Sequence, residues 1–177
     1  MNRAAVIYAS KYGSTKQYAE WIAETLPADI VSLDEVRPED LKKYDLIIAG
    51  GWMRVGKIMC ADFIIDNWEM LKEKKVVVFS VSATRPTEPV IQQFFEGSFP
   101  STIHAQVRFF PLWGRFSEVD MADKFLMLVP RTSLYLKLLL APSEESKSRY
   151  KEITQSFDHV ERTSLQPLLQ YCRSVLS

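Results

Sequence analysis

Short apolar runs alternating with helical patterns constrain this chain most. Val6, Ile7 and Tyr8 favour a pleated, buried strand, and Tyr18, Ala19, Ile22 and Leu26 then recur at helical spacing. Residues 28–33 read as a second strand, and Pro38 is placed to open a short helix in the polar stretch that follows. Leu46 to Ala49 is continuous and apolar, as expected for a third strand in a sheet covered on both faces. Ala61 to Lys74 predicts a helix with Phe63, Ile64, Trp68 and Leu71 on its inner side. Val76 to Val81 predicts the central strand, Pro89 to Phe95 a short helix and Ala105 to Phe110 a fifth strand. A final helix covers roughly Leu165 to Leu176, with Pro167 tolerable in its first turn. Strands that alternate with helices pair in parallel through right-handed crossovers. The expected fold class is therefore α/β, a doubly wound five-stranded parallel sheet forming one domain over residues 1–177.

Residues 114–160 break that rhythm and form an inserted segment. Phe125, Leu126 and Val129 offer a helical face, followed by Pro130 and then Leu134, Leu138 and Leu139. Two readings stand side by side: a hydrophobic lid, or an additional helix packed on the domain.

The turn after the first strand carries chemistry. Ser10-Lys11-Tyr12-Gly13-Ser14-Thr15 lies between a strand's carboxyl end and a helix's amino end. The first helical N–H groups there lack internal partners, and the macrodipole favours negative charge. Ser10, Ser14 and Thr15 add hydroxyl donors, and Gly13 lets the backbone curl around a ligand. The sequence reads as a phosphate cradle, with a helix cap at Ser10 or Ser14 as the competing reading. Neither Gly-x-x-x-x-Gly-Lys-Ser/Thr nor a Gly-x-Gly-x-x-Gly after the first strand occurs.

Two more loops fall on the same edge, residues 51–56 and 82–86. In doubly wound sheets, ligands bind beyond the carboxyl ends of the strands. Equal numbers of acidic and basic residues give a formal net charge of zero. That argues against broad electrostatic binding to nucleic acid or anionic lipid. Residues 1–20 show no leader pattern, and Leu134 to Ala141 is too short to span a bilayer. Cys60 and Cys172 read as buried free thiols in helices, so a cytoplasmic compartment is expected. His104 and His159 have no metal-ligand spacing and read as structural or exposed.

On these residues the chain resembles the flavodoxin-domain family. The family's phosphate motif runs Ser/Thr, any residue, Thr, Gly, any residue, Thr. It is met by Ser10, Lys11, Tyr12, Gly13, Ser14 and Thr15, with Tyr12 standing where Thr is usual. Within that family the chain is similar to the group containing the menaquinone-dependent protoporphyrinogen dehydrogenase. The markers are Arg54 and Gly56, Ser80 and Val81, Trp113-Gly114-Arg115-Phe116, and Asp123 to Met127.

The resemblance implies bound FMN and a strand order of 2-1-3-4-5. It puts the flavin ring between Trp52-Met53-Arg54-Val55-Gly56 and Ser82-Ala83-Thr84. Trp52 and Met53 become candidate apolar walls, with core packing the other reading of Trp52. Arg54 places positive charge near the ring, or else forms a surface ion pair. Lys11 and Lys16 soften the phosphate charge, or are solvated.

Three functions follow from the resemblance. The first is an FMN redox protein passing electrons to or from a protein or quinone. The second is a protoporphyrinogen dehydrogenase or related quinone-linked oxidoreductase, whose apolar partner could be a porphyrinogen met at a membrane surface. The third is a flavin-free interaction module.

Overall fold

The computed structural model describes residues 3–116 and 157–177. These fall in two compact units, one comprising residues 1–114 with 160–177 and the other residues 115–159.

The larger unit is a parallel sheet. Its strands are β1 (Ala4–Ala9), β2 (Ala28–Ser32), β3 (Leu46–Arg54), β5 (Lys75–Ser82) and β6 (Arg108–Trp113). They lie in the order β2-β1-β3-β5-β6, and a two-residue strand, β4 (Lys57–Ile58), pairs with β3 off this path. Counting the five long strands alone, this is the expected 2-1-3-4-5 order. Every pairing among them is parallel, running from Ala4↔Ala28 through Ser82↔Trp113.

Helices cover both faces. On one, α1 (Ser14–Thr25) and the last described helix, α6 (Gln166–Leu176), pack Tyr18, Ile22, Leu168 and Leu169 against Val6, Ile48, Val77 and Phe79. On the other lie α2 (Ala61–Asp66), α3 (Trp68–Leu71), α4 (Pro89–Ser98) and α5 (Ser101–His104). Ile64, Leu71, Phe95 and Ile103 meet Ile7, Ile47 and Val78 there. Alternate strand residues feed the two cores, the period of two that a pleated strand imposes. Each fully buried aliphatic side chain contributes about 1.5–3 kcal/mol. Gly50 leaves room for Phe79, whose Cζ would stand 2.1 Å from an added Cβ.

Several boundaries differ from the sequence reading. β3 does not stop at Ala49 but runs through Gly50-Gly51-Trp52-Met53 to Arg54, because β4 returns alongside it with Met53↔Ile58 and Arg54↔Lys57 paired. The fifth long strand is shifted to Arg108–Trp113, because Ser101–His104 forms a helical turn whose C-cap is Ala105. The predicted helix over 61–74 breaks into α2 and α3 at Asn67, whose N–H and side-chain Nδ2 both donate to the Phe63 carbonyl. Cys60 accordingly precedes α2 as its N-cap, whereas Cys172 does lie within a helix.

Of the smaller unit, residues 115–116 and 157–159 are described. β7 (Arg115–Phe116) pairs antiparallel with β8 (Phe157–Asp158), and Arg115 Nε lies 2.8 Å from Asp158 Oδ2. The apolar positions predicted between Phe125 and Leu139 lie outside the described residues.

Candidate functional site

The strand registers bring the three predicted loops to one edge. Ala9 of β1 pairs with Gly51 of β3, Trp52 pairs with Val81 of β5, and Ser82 pairs with Trp113 of β6. Neighbouring strands stand about 4.8 Å apart, so residues 10–15, 52–56 and 82–86 leave adjacent strands.

In the first loop, Gly13 is the N-cap of α1 in the left-handed region, at φ 85°. Its carbonyl accepts from Gln17 N–H at 2.9 Å, and its own N–H donates to Ser10 Oγ at 3.1 Å. No side chain caps the helix. The capping alternative therefore fails: Ser10 closes the turn on Gly13 instead. Ser14 and Thr15 are both buried, and Ser14 Oγ has no hydrogen-bond partner. A buried hydroxyl left unpaired costs about 1–3 kcal/mol. Tyr12 is 42% exposed, with Lys11 Nζ 5.1 Å from its ring centre. Lys16 pairs with Glu20 at 3.8 Å on the solvated side of α1, one turn along the helix.

The second loop is a hairpin tip. Val55 and Gly56 have φ 49° and 76°, the positive pair that a two-residue hairpin turn requires. A Cβ on Gly51 would stand 2.8 Å from Cys60 N, so the strand passes close beneath the start of α2. Lys57 Nζ bonds both Asp62 oxygens, at 2.7 and 2.9 Å. Ser98 Oγ accepts from Ile58 N–H at 3.0 Å and donates to the Phe94 carbonyl at 2.6 Å, tying β4 to α4.

Strand alternation separates the two predicted walls. Met53 packs against the core under α2–α5, while Trp52 is half-buried and belongs to neither core. Arg54 is exposed and makes no ion pair among the described residues. Val55, at the tip, is 77% exposed.

The third loop is knitted to β6. Ser82 Oγ donates to the Thr84 carbonyl at 2.8 Å, and Gly114 N–H donates to the Ser82 carbonyl at 2.8 Å. Trp113 Nε1 donates to the Ala83 carbonyl at 3.2 Å, and the Arg85 guanidinium lies 5.7 Å from the Trp113 ring centre. Gly114 has no room for a side chain, since a Cβ would meet Val81 Cγ1 at 3.0 Å and the Ser82 carbonyl oxygen at 3.1 Å.

Trp113 and Gly114 entered the sequence reading only as family markers, without a structural role. Ser80 Oγ is a second buried hydroxyl without a partner. Alternation with Phe79 turns it to the sheet face away from α1, so it does not join the cradle.

Other groups are structural. Burial pushes the Cys60 and Cys172 thiols from 9.0 up to about 12, which keeps both protonated and unreactive at neutral pH. The His104 ring sits edge-on to Phe95 at 6.2 Å. No group of three or more His, Cys, Asp or Glu able to hold a metal occurs among the described residues. No described helix is long and apolar enough to cross a membrane.

A cavity of about 830 Å³ opens at the opposite, amino-terminal edge, lined in part by Lys42, Tyr44, Lys72, Lys74 and Lys75. Helix C-termini end there, and their carbonyls favour cations over a phosphate. Lys74 Nζ illustrates this by bonding the Lys42 and Tyr44 carbonyls at 2.9 and 2.6 Å.

The flavodoxin-domain family model matches residues 5–131. An uncharacterized protein of Methanocaldococcus jannaschii is 32% identical over 81 residues, 45% of this chain and 54% of the relative. The chain thus spans about half the length of the curated relative it matches. Among solved structures, flavodoxin 2 of Bacillus cereus is 21% identical, with a TM-score of 0.47 covering 68% of this chain and 89% of that one. The two-electron reduced flavodoxin of Megasphaera elsdenii is 18% identical, with a TM-score of 0.48 covering 61% and 82%.

Proposed function

We propose that this chain, which belongs to the flavodoxin-domain family, binds FMN at the carboxyl edge of its sheet and works as a redox protein. The observation that carries the reading is Ser14 Oγ, buried and unpaired in a turn that no side chain caps. A phosphate oxygen there would accept a hydrogen bond from that hydroxyl and remove its cost. Gly13 keeps the turn's backbone close to the ligand, and the positive end of α1 favours a dianion.

Ser10, Lys11, Tyr12, Gly13, Ser14 and Thr15 would hold the phosphate. Tyr12 contributes its backbone N–H where a Thr hydroxyl is usual. Trp52, on the α1 face of β3 and outside both cores, is the candidate ring wall. Met53 supports the strand from the other side. Arg54, Val55 and Gly56 then border the ring on one side and Ser82, Ala83 and Thr84 on the other. Arg54 lacks an ion-pair partner among the described residues, which leaves its charge available to stabilise negative charge on a reduced ring. The bound flavin supplies the electron-transfer chemistry; the chain supplies position, charge and access.

The partner in this reading is an electron donor or acceptor protein, or a quinone. Titrating flavin-free protein with FMN should quench flavin fluorescence and give a yellow, FMN-retaining protein. Ser14→Ala and Thr15→Val should each weaken FMN binding about tenfold or more, since one bond to a charged group is worth about 1.5–3 kcal/mol. Wild-type protein that stays colourless in excess FMN overturns the reading. Anaerobic reduction followed by separate addition of a quinone and of protoporphyrinogen then distinguishes a carrier from a quinone-linked dehydrogenase.

A further inference from the structure

The Tyr18 hydroxyl joins parts of the fold that the candidate site needs held together. Its ring, on α1, is fully buried and edge-on to Trp21 at 5.7 Å. The hydroxyl donates to the Trp113 carbonyl at 2.8 Å and accepts from Glu161 N–H at 3.2 Å. Ser164 Oγ lies 3.3 Å away and 2.6 Å from the Glu161 carbonyl, so its single proton goes to the shorter partner. Trp113 carries the connection onward, because its indole N–H donates to the Ala83 carbonyl and its ring lies under Arg85. The helix that begins at Ser14 is thereby tied to the 82–84 loop through one tyrosine and one tryptophan. Packing alone does not explain the hydroxyl, since a phenylalanine would fill the same space.

We propose that Tyr18 is a positioning residue for the 82–84 loop, acting through Trp113. With its carbonyl held by Tyr18, Trp113 keeps its indole N–H aimed at Ala83. The loop therefore stays at a fixed distance from the phosphate turn at the head of α1. Two corners of the site are linked by this hydrogen-bonded path in addition to the packing of α1 on the sheet. The proposal rests on the FMN reading for its consequence, and on the hydrogen bonds alone for its geometry.

Tyr18→Phe tests it, since the ring and its packing remain. In flavin-free protein the indole N–H resonance of Trp113, assigned from Trp113→Phe, should shift together with the Ala83 and Thr84 amides. FMN binding should weaken about tenfold, and the visible circular dichroism of bound FMN should change. Tyr44→Phe is the control, because it removes the bond to Asp29 Oδ2 at 2.6 Å at the other edge of the sheet. It should lower stability while leaving those resonances, the affinity and the dichroism unchanged.

Trp113→Phe should reproduce the effect on FMN, and the double variant Tyr18→Phe/Trp113→Phe should be no weaker than the worse single one, as expected for one shared path. If Tyr18→Phe leaves the Trp113, Ala83 and Thr84 resonances in place, the proposal is overturned whatever FMN does. If they move but FMN affinity and dichroism do not, the link to the flavin site is overturned. Wild-type protein that fails to bind FMN overturns the functional reading, while the resonances still decide the geometry.

Discussion

At Gly13 the conformational and the steric requirements separate cleanly. Its φ of 85° lies in the left-handed region, yet an added Cβ would meet nothing within 4 Å. Gly13→Ala therefore tests backbone conformation alone. Holding an L-residue there costs about 1–2 kcal/mol. Urea denaturation should show a loss of that size, and FMN should partly restore the stability in proportion to its binding. Gly51 presents the opposite case, where the conformation is ordinary strand and the close approach of Cys60 N sets the demand.

The two cysteines give a pH-dependent prediction. Both thiols are raised from 9.0 to about 12 in the folded protein. Their contribution to stability is complete below pH 9 and is lost as pH rises toward 12, because the unfolded chain ionises first. Below pH 9, Ellman's reagent should react with neither thiol in the native protein and with both in denaturant. Fast native-state labelling at pH 8 would show that burial does not protect them.

Among the elements, the β3–β4 hairpin was the least legible and is the most testable. Val55 is a β-branched residue at φ 49°, a conformation that favours asparagine or glycine. Its side chain is mostly in solvent, so packing does not compensate the strain. Val55→Asn should raise stability by about 1 kcal/mol, read as a higher urea midpoint at unchanged slope. If the exposed tip serves a redox partner, the same change should slow electron exchange.

Sequence reasoning placed this stretch correctly at a strand's carboxyl end. It ended the strand at Ala49 and read the residues that follow as a loop. Here Gly50 and Gly51 continue the strand beneath Phe79 on one face and Cys60 on the other. Only tertiary crowding distinguishes those two readings. The same limit explains Asn67, whose helix break depends on a local bond to Phe63 within an otherwise helical pattern. The central strands were legible because burial on two sides writes a continuous apolar run into each of them, whereas their order was expected only from the family resemblance. The turn between β1 and α1 was legible because the apolar strand run stops at Ala9 and helical spacing follows Gly13. Tyr18 was read as core by its spacing, and nothing in the sequence signals that its hydroxyl reaches Trp113 and Glu161.

The larger unit keeps its three adjacent loops and its lysine-lined cavity at opposite edges of the sheet. The carboxyl edge gathers the turn, the hairpin tip and the 82–84 loop, while the amino edge gathers lysines where helices end. Between these edges the described core residues of the larger unit form two clusters, one on each face of the sheet. The points where the chain leaves and rejoins this unit are close together. The Trp113 carbonyl oxygen and Glu161 nitrogen bond the same hydroxyl, at 2.8 and 3.2 Å, so they stand within about 6 Å of one another. A linker of about four flexible residues covers that distance easily. Replacing residues 115–159 with Gly-Ser-Gly-Ser should therefore leave a unit that unfolds cooperatively. Its phosphate turn is intact, so FMN should still bind. Calorimetry would show one transition with the enthalpy expected for the shorter chain. A replacement protein that folds but no longer retains FMN would mean that residues 115–159 supply part of the site. One that fails to fold would mean that the two cores need those residues for stability.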